Sequence, residues 1–485
     1  MSRLYTIYFF FFIPLLSICQ QSQPDLQLQT GMYASNGAVI PFWLQANRFG
    51  AVPASGSALV FSVDIQSKKD SSSPLSQLIY GANLFVSTGK SSRILLPELY
   101  AGYQFKGWQL TVGRERRVLG LVDSTLSSGS ISWSGNSLPL PAITVSRPHF
   151  TNLLFPWLSW KASFSHGWFG EQRFASSYYL HQKSLYGRLG RESSKVKLYG
   201  GILHHVQWGG FPTRERDQNG NPIPSTPFSS DFRTYVLAIY PSKKLTQKME
   251  GYSPFDTENR FGNHLGQLDM AASLQLKNST ILGYKQTFFE TGATFSSLSN
   301  VDDGLYGIRW KSSNPTSLWQ HVTFEYLQTT NQGSYQPALA RLFGLQDRHF
   351  GENNFYFNHQ QYYDGWSYQR QTIGTPFLLA EEQIRSQKFG GNGFIFTNNN
   401  RVKVGYLAMQ HRFNSIDIIS KLSYSRNFGS YLRVLEPVSQ LSTAIQMQYD
   451  RPQTRQRWAL SIGLDHGDLI KDTYGIALSF IQKWE

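Results

Sequence analysis

Three segments at the end of the chain repeat one pattern, and it restricts the fold more than any other feature. In 472–484, Tyr474, Ile476, Leu478, Phe480 and Trp484 alternate with Gly475, Ala477, Ser479 and Lys483. In 456–466, Trp458, Leu460, Ile462 and Leu464 alternate with Ala459, Ser461, Gly463 and Asp465. In 440–450, Leu441, Thr443, Ile445, Met447 and Tyr449 alternate with Ser442, Ala444, Gln446, Gln448 and Asp450. Successive side chains of a strand point to opposite faces, so each segment reads as a strand with one apolar and one small or polar face. Helical spacing fits none of the three.

Comparable strands are expected near 57–67, 76–87, 97–105, 107–114, 157–166, 176–188, 195–207, 232–240, 266–277, 280–290, 304–312, 318–329, 393–398, 401–412 and 416–428, about eighteen in all. Short turn signals join several neighbours, among them Lys106-Gly107, Asn278-Ser279, Asn414-Ser415 and Asp450 to Thr454. Long connections at 208–231, 241–264, 330–353 and 358–392 separate others. Short turns at one end and long loops at the other describe an all-β, transmembrane, antiparallel outer-membrane β-barrel. A secreted sandwich or propeller would give the same alternation with the apolar face buried. Three features favour the barrel. Strands of about ten residues suit a tilted crossing. Trp458, Tyr449, Tyr474 and Trp484 sit at strand ends, where a membrane girdle places aromatics. The chain also ends on an amphipathic aromatic strand.

Composition narrows the classes further. Of 485 residues, 16% are charged and 15% are aromatic, too aromatic for a disordered chain. The single cysteine, Cys19, excludes a disulfide scaffold and a cysteine-ligated metal site. No run of 18 apolar residues follows the first twenty positions, which excludes a helical membrane bundle. The first 19 residues, with Arg3 ahead of the apolar run Leu4 to Ile18 and Ser17-Ile18-Cys19 before Gln20, read as a cleaved secretory signal peptide. Leu16 to Cys19 also loosely resembles a lipid-attachment box, which leaves lipidation of Cys19 open. The expected organisation is a signal peptide at 1–19, a short periplasmic N-terminal segment at 20–56 and the barrel at 57–485.

No catalytic motif, metal-ligand set or cofactor fingerprint occurs, so no enzyme activity, metal or cofactor is expected. The adjacent His204 and His205 would point to opposite faces of a strand and cannot chelate one metal together. Asp302-Asp303 and Glu381-Glu382 read as solvated turns. The 45 basic and 31 acidic residues give a formal charge of +14. Without a recognition fold this does not point to nucleic acid. Arg114 and Arg116 are candidates for charges lining a barrel lumen.

Two stretches go beyond pattern: 113–145, GRERRVLGLVDSTLSSGSISWSGNSLPLPAITV, and 353–377, NNFYFNHQQYYDGWSYQRQTIGTPF. With PFWLQANRFGAVP at 41–53 and HHVQWGG at 204–210, they resemble the Wzi family of capsule-assembly outer-membrane proteins, in the form common among Bacteroidetes-type bacteria. The resemblance implies an eighteen-stranded barrel in the outer membrane and a small periplasmic helical element, here reduced to one or two turns around Pro41 to Arg48. It implies a lectin-like role in attaching or organising capsular or exopolysaccharide, and it leaves open a contact with capsule export machinery. A porin or substrate-selective channel is the alternative.

Sugars are recognised by aromatic faces together with planar polar groups. The segment 358–370 offers His359, Tyr362, Tyr363, Trp366, Tyr368 and Arg370. These residues either meet polysaccharide or pack as a plug inside the lumen. Ser127 to Asn136 reads as a second inserted loop.

Overall fold

The computed structural model describes residues 24–484, apart from 38, 54–55, 68–75, 90–91, 213–226, 247–255, 257–259, 292–293, 295–298, 338–340, 343, 345–353 and 390–394. The expected signal peptide, 1–19, lies outside the described residues.

Eighteen strands form one closed antiparallel barrel. They are β1 Asp25–Ser35, β2 Ala58–Gln66, β3 Ser76–Gly89, β4 Arg93–Phe105, β5 Trp108–Arg114, β6 Pro141–Asn152, β7 Leu158–Glu171, β8 Ala175–Leu189 and β9 Val196–Trp208. The second half is β10 Asn263–Gln275, β11 Ser279–Phe289, β12 Gly304–Ser312, β13 Trp319–Gln328, β14 Val402–Phe413, β15 Ile416–Gly429, β16 Val434–Arg451, β17 Gln456–Gly467 and β18 Thr473–Trp484. Each strand pairs with its neighbours in the chain. The ring closes where β1 pairs with β18, Leu26 opposite Trp484 and Ser35 opposite Gly475. Closure leaves no open edge, which a sheet in lipid requires because hydrocarbon cannot satisfy a free N–H or C=O.

Burial is inside out. Along β17 and β18, Ile462, Leu464, Ile476 and Leu478 are exposed at 42–48%, while Ser461, Asp465, Thr473 and Ala477 are buried. The apolar face therefore looks outward and the small or polar face looks into the barrel, the reverse of a soluble sandwich. At the short-turn end an aromatic rim carries Trp108 against Trp160 at 5.8 Å and Trp458 against Phe480 at 4.5 Å. None of the described helices is long and apolar enough to cross a membrane.

The chain corrects several expectations. Residues 25–35 are not part of a segment ahead of the barrel: β1 is a wall strand, and Leu26, Leu28, Thr30 and Met32 carry the same alternation as the other strands. The one-turn helix α1, Phe42–Gln45, falls where expected in sequence but stands inside the barrel, near the long-loop end and away from the chain termini. It is thus part of the lumen filling and not a separate periplasmic segment. Residues 232–240 were expected as a strand, yet Phe232–Ile239 is a helix, α2. Asp231 caps it by accepting the N–H of Thr234 at 2.7 Å. Within 393–398, the described residues 395–398 form no strand. The strand β6 was not expected; Pro141, Pro148 and a register shift between Arg147 and Thr151 disguise it.

Candidate functional site

Three connections fold inward from the long-loop end: the α1 loop 36–57, the segment 115–140 and the stretch between β13 and β14. The inward polar face of the strands holds them. Glu325 on β13 accepts from the Ser127 hydroxyl at 2.6 Å and the Ser128 N–H at 2.7 Å. The Gln267 carbonyl oxygen on β10 accepts from the N–H and the hydroxyl of Ser132. That of Gln286 on β11 accepts the Ile131 N–H at 3.0 Å. Asp269 accepts the Leu121 N–H at 2.8 Å, and Asp465 on β17 accepts the Phe42 N–H at 2.8 Å. Backbone N–H groups driven into a closed interior need such partners. The polar inner wall supplies them, so what serves a water-filled lumen in a porin serves plug packing here.

The plug elements also hold one another. Trp133 stacks on His205 at 5.3 Å, and His205 meets Trp366 at 5.8 Å. The Ser134 hydroxyl donates to the Gly374 carbonyl at 2.7 Å. Gly120 takes a φ of +111°, a backbone conformation that favours glycine because residues with a Cβ rarely adopt it. The run Asn398 to Asn400 is buried, with the Asn399 amide donating to Asn427 at 2.9 Å and the Asn400 amide to the Tyr356 carbonyl at 3.0 Å. Nothing in a short polar run marks such residues as interior, so they were not anticipated.

The candidates from 358–370 divide by position. Trp366, Tyr362 and Tyr368 are buried at 0–3% exposure and pack within the plug. His359 and Tyr363 are half-buried, and burial pushes the His359 pKa down to about 3. The His359 Nδ1 accepts the N–H groups of Gln361 and Tyr362, which suits the neutral ring. Arg370 is exposed at the tip of a two-residue hairpin turn, where Gln369 and Arg370 have φ of 49° and 65°. Two adjacent non-glycine residues with positive φ form a costly turn, and such strain concentrates at functional sites. Glu382 accepts from both Arg370 and Arg173 at 2.6 Å on one carboxylate oxygen. Two guanidinium groups thus share one carboxylate oxygen on this rim.

Arg114 and Arg116 do face the interior, each with a partner. Arg114 donates to the Tyr368 hydroxyl at 3.0 Å. Arg116 bridges Glu98 at 2.7 Å and Asp64 at 2.5 Å. His204 and His205 diverge as their strand requires: His205 bonds Ser132 and Gln182 inside, while His204 stacks on His264 at the outer wall.

Asp303 corrects the reading of its acid pair as a solvated turn. It is fully buried and accepts the N–H groups of Asn331 and Gln332 and the Tyr356 hydroxyl. Burial pushes its pKa up to about 6 against the pull of those donors. A carboxyl with a raised folded pKa contributes stability that is complete below its unfolded pKa and is lost as pH rises through about 6. Asp303→Asn should therefore gain stability relative to wild type as pH goes from about 4 to about 8. The difference in melting temperature between the two proteins measures this, and a constant difference across that range would contradict it. His359 acts in the opposite sense in wild type, losing stability as pH falls below about 6.5, so the difference between the proteins is the useful readout.

Sequence reasoning missed the cleft at the long-loop end. It lies between the α1 loop and residues 371–385, holds about 110 Å³, and is lined by Gln45, Asn136, Gln371, Gln383 and Arg385 together with apolar Leu379. Planar amides, one guanidinium and an apolar wall are the groups that bind polyhydroxylated rings. The amides come from three separate stretches of chain, so no local motif announces them.

These features define a class: an outer-membrane β-barrel whose long-end loops fold into its lumen, with a polar cleft at that end. The family described as capsule assembly protein Wzi matches residues 46–210, and the resemblance read from the sequence is to this same family. Among solved structures, Wzi of Escherichia coli is 13% identical with a TM-score of 0.56, covering 97% of this chain and 86% of that one. It is described as an outer-membrane protein involved in group 1 capsule assembly and a carbohydrate-binding β-barrel. OccK5 and OpdQ of Pseudomonas aeruginosa are each 8% identical, with TM-scores of 0.47 and 0.46, and cover 96% of this chain and 99% of theirs. No curated sequence matches the chain.

Proposed function

We propose that this protein is a capsule assembly protein that binds capsular or exopolysaccharide at the cell surface without enzymatic turnover. The observation that carries this reading is a lumen filled by packed loops beneath a rim of amides and arginines. The family match over 46–210 and the carbohydrate binding described for its Escherichia coli neighbour support it. Arg370, Arg385, Gln371 and Gln383 are the proposed contacts, with Tyr363 and His359 beside them; Trp366, Tyr362 and Tyr368 support the surface from below. The shared Glu382 and the surplus of arginine suit an acidic polymer. We further propose export through a cleaved leader at 1–19 and contact with capsule export machinery at the same end.

A deletion strain should lose cell-bound polysaccharide while still secreting it. Purified barrel should bind the acidic polymer, and Arg370→Ala with Arg385→Ala should weaken it several-fold, since multivalent contact amplifies small losses per site. That effect should fade at high salt, where screening shortens the reach of charge. Normal capsule retention together with no polymer binding by the purified barrel would overturn the proposal, and steady ohmic conductance of the wild type would favour a porin.

A further inference from the structure

The connection between β9 and β10 lays a helix on the outer wall. The outward face of β7 to β10 is fixed by alternation with the exposed Phe164, Leu185, Leu198 and Met270. Counting in twos from these residues brings His166, His181, Lys183, His204, Val206, Trp208 and His264 to the same outer face. Yet His181, His204, Val206 and Trp208 are buried. Helix α2 covers them: Tyr235 stacks on Trp208 at 5.1 Å and meets the rings of His166 and His181 edge-on. Leu237 and Ala238 pack with Val206 and Trp208.

The other side of α2 is apolar and exposed. Phe232, Val236 and Tyr240 follow one another at four-residue spacing, at 80%, 44% and 69% exposure. This stripe faces away from the barrel. At the C-terminal end of the helix the Lys183 ammonium donates to the Ile239 carbonyl, capping a backbone group that hydrocarbon would leave unpaired.

Below that contact the outer wall is grooved. The groove holds about 360 Å³ and runs between Val145, Phe164, Leu185 and Ile202, with Trp108 towards the short-turn rim and Lys183 towards the helix. It is continuous with the apolar belt that already faces lipid. An ammonium has three donors, of which the Ile239 carbonyl takes one.

We propose that this groove and helix form a binding site for an anionic, phosphate-bearing lipid of the outer leaflet, one whose phosphate charge is not balanced by a cation of its own headgroup. One acyl chain lies between Val145, Phe164, Leu185 and Ile202. The phosphate meets Lys183, and the Phe232–Val236–Tyr240 stripe is immersed in the surrounding leaflet. The occupant is a lipid because the groove opens onto the hydrocarbon belt and Lys183 is the one lysine or arginine in its lining. An amphipathic helix lying along such a boundary is a known way of meeting a membrane.

Native mass spectrometry of the full barrel, delipidated and reloaded with phosphatidylglycerol or with phosphatidylcholine of the same chains, tests the site. One phosphatidylglycerol should stay bound where phosphatidylcholine is lost. Ala162 also lines the groove; Ala162→Trp, whose side chain would fill it, should abolish retention, and Lys183→Met should erase the preference between the two lipids. Equal retention of both lipids by wild type, or undiminished retention by Ala162→Trp, would overturn the proposal. Should Ala162→Trp fail to fold, a nitroxide on Val236→Cys in a Cys19→Ser chain, reconstituted in phosphatidylglycerol vesicles, reads the same claim. The label should collide with oxygen more than with a water-soluble nickel complex. The reverse order would place the stripe in water and would sink the lipid assignment.

Discussion

Trp366→Ala should open the barrel. The indole is fully buried between the two plug segments and touches His205, which Trp133 stacks upon from the other side. Removing a buried aromatic from such a site costs about 3–5 kcal/mol. The loss falls on the plug and not on the wall, because the wall strands are held by ladders that close on themselves. Planar-bilayer recording should therefore pass from a closed state to steady current while the strand content stays unchanged. The plug transition in calorimetry should move down by several degrees. Trp366→Phe is the control: it keeps a ring in place and drops an indole N–H that has no hydrogen-bond partner among the described residues, so it should stay closed. A closed barrel with an unchanged plug transition in Trp366→Ala would show that this ring does not hold the lumen shut.

The second large effect concerns the wall. Ile462→Arg places a charge on the lipid face, where an arginine at mid-membrane costs about 2–4 kcal/mol. Ile476 and Leu478 on one neighbouring strand and Ile445 on the other are exposed on the same side, so the charge would sit among apolar side chains. Assembly into vesicles, followed by the gel mobility shift of folded against heated barrel, should fall sharply. Ser479→Arg points inward near the short-turn end and should be milder. Gly463→Arg should not be mild although it also points inward, because a Cβ there would already lie 2.8 Å from Pro41. Equal tolerance of Ile462→Arg and Ser479→Arg would contradict a lipid-facing outer wall.

Those contrasts also show how far the sequence could be read. Alternation is a property of the strand itself, so the wall strands from Val402 to Trp484 were legible before any partner was known. So was the divergence of His204 and His205. The strand Asp25–Ser35 carried the same signal, yet 20–56 was expected as a separate periplasmic segment. Residues 232–240 misled in the other direction, for Tyr235, Val236 and Ile239 favour strands by type. A helix was selected there because the outward histidines and Trp208 needed a cover, and because Asp231 could cap it.

What the sequence alone determined is the barrel: a period of two, a greasy face and a polar face, short turns and long loops, and no hydrophobic run long enough for a helix to span. Those are local properties, and each strand displays them without knowledge of its neighbours. What only the tertiary structure decided is the use of the polar face. The same Ser, Gln and Glu side chains would line water in an open channel. Here they meet groups of loops distant in sequence, as Glu325 meets the Ser127 hydroxyl and Gln207 meets the Gly365 carbonyl. A hydrogen bond between residues 158 or 198 positions apart leaves no periodic trace. The division of 358–370 into buried support and exposed tip therefore became visible only once the loops were folded inside the wall.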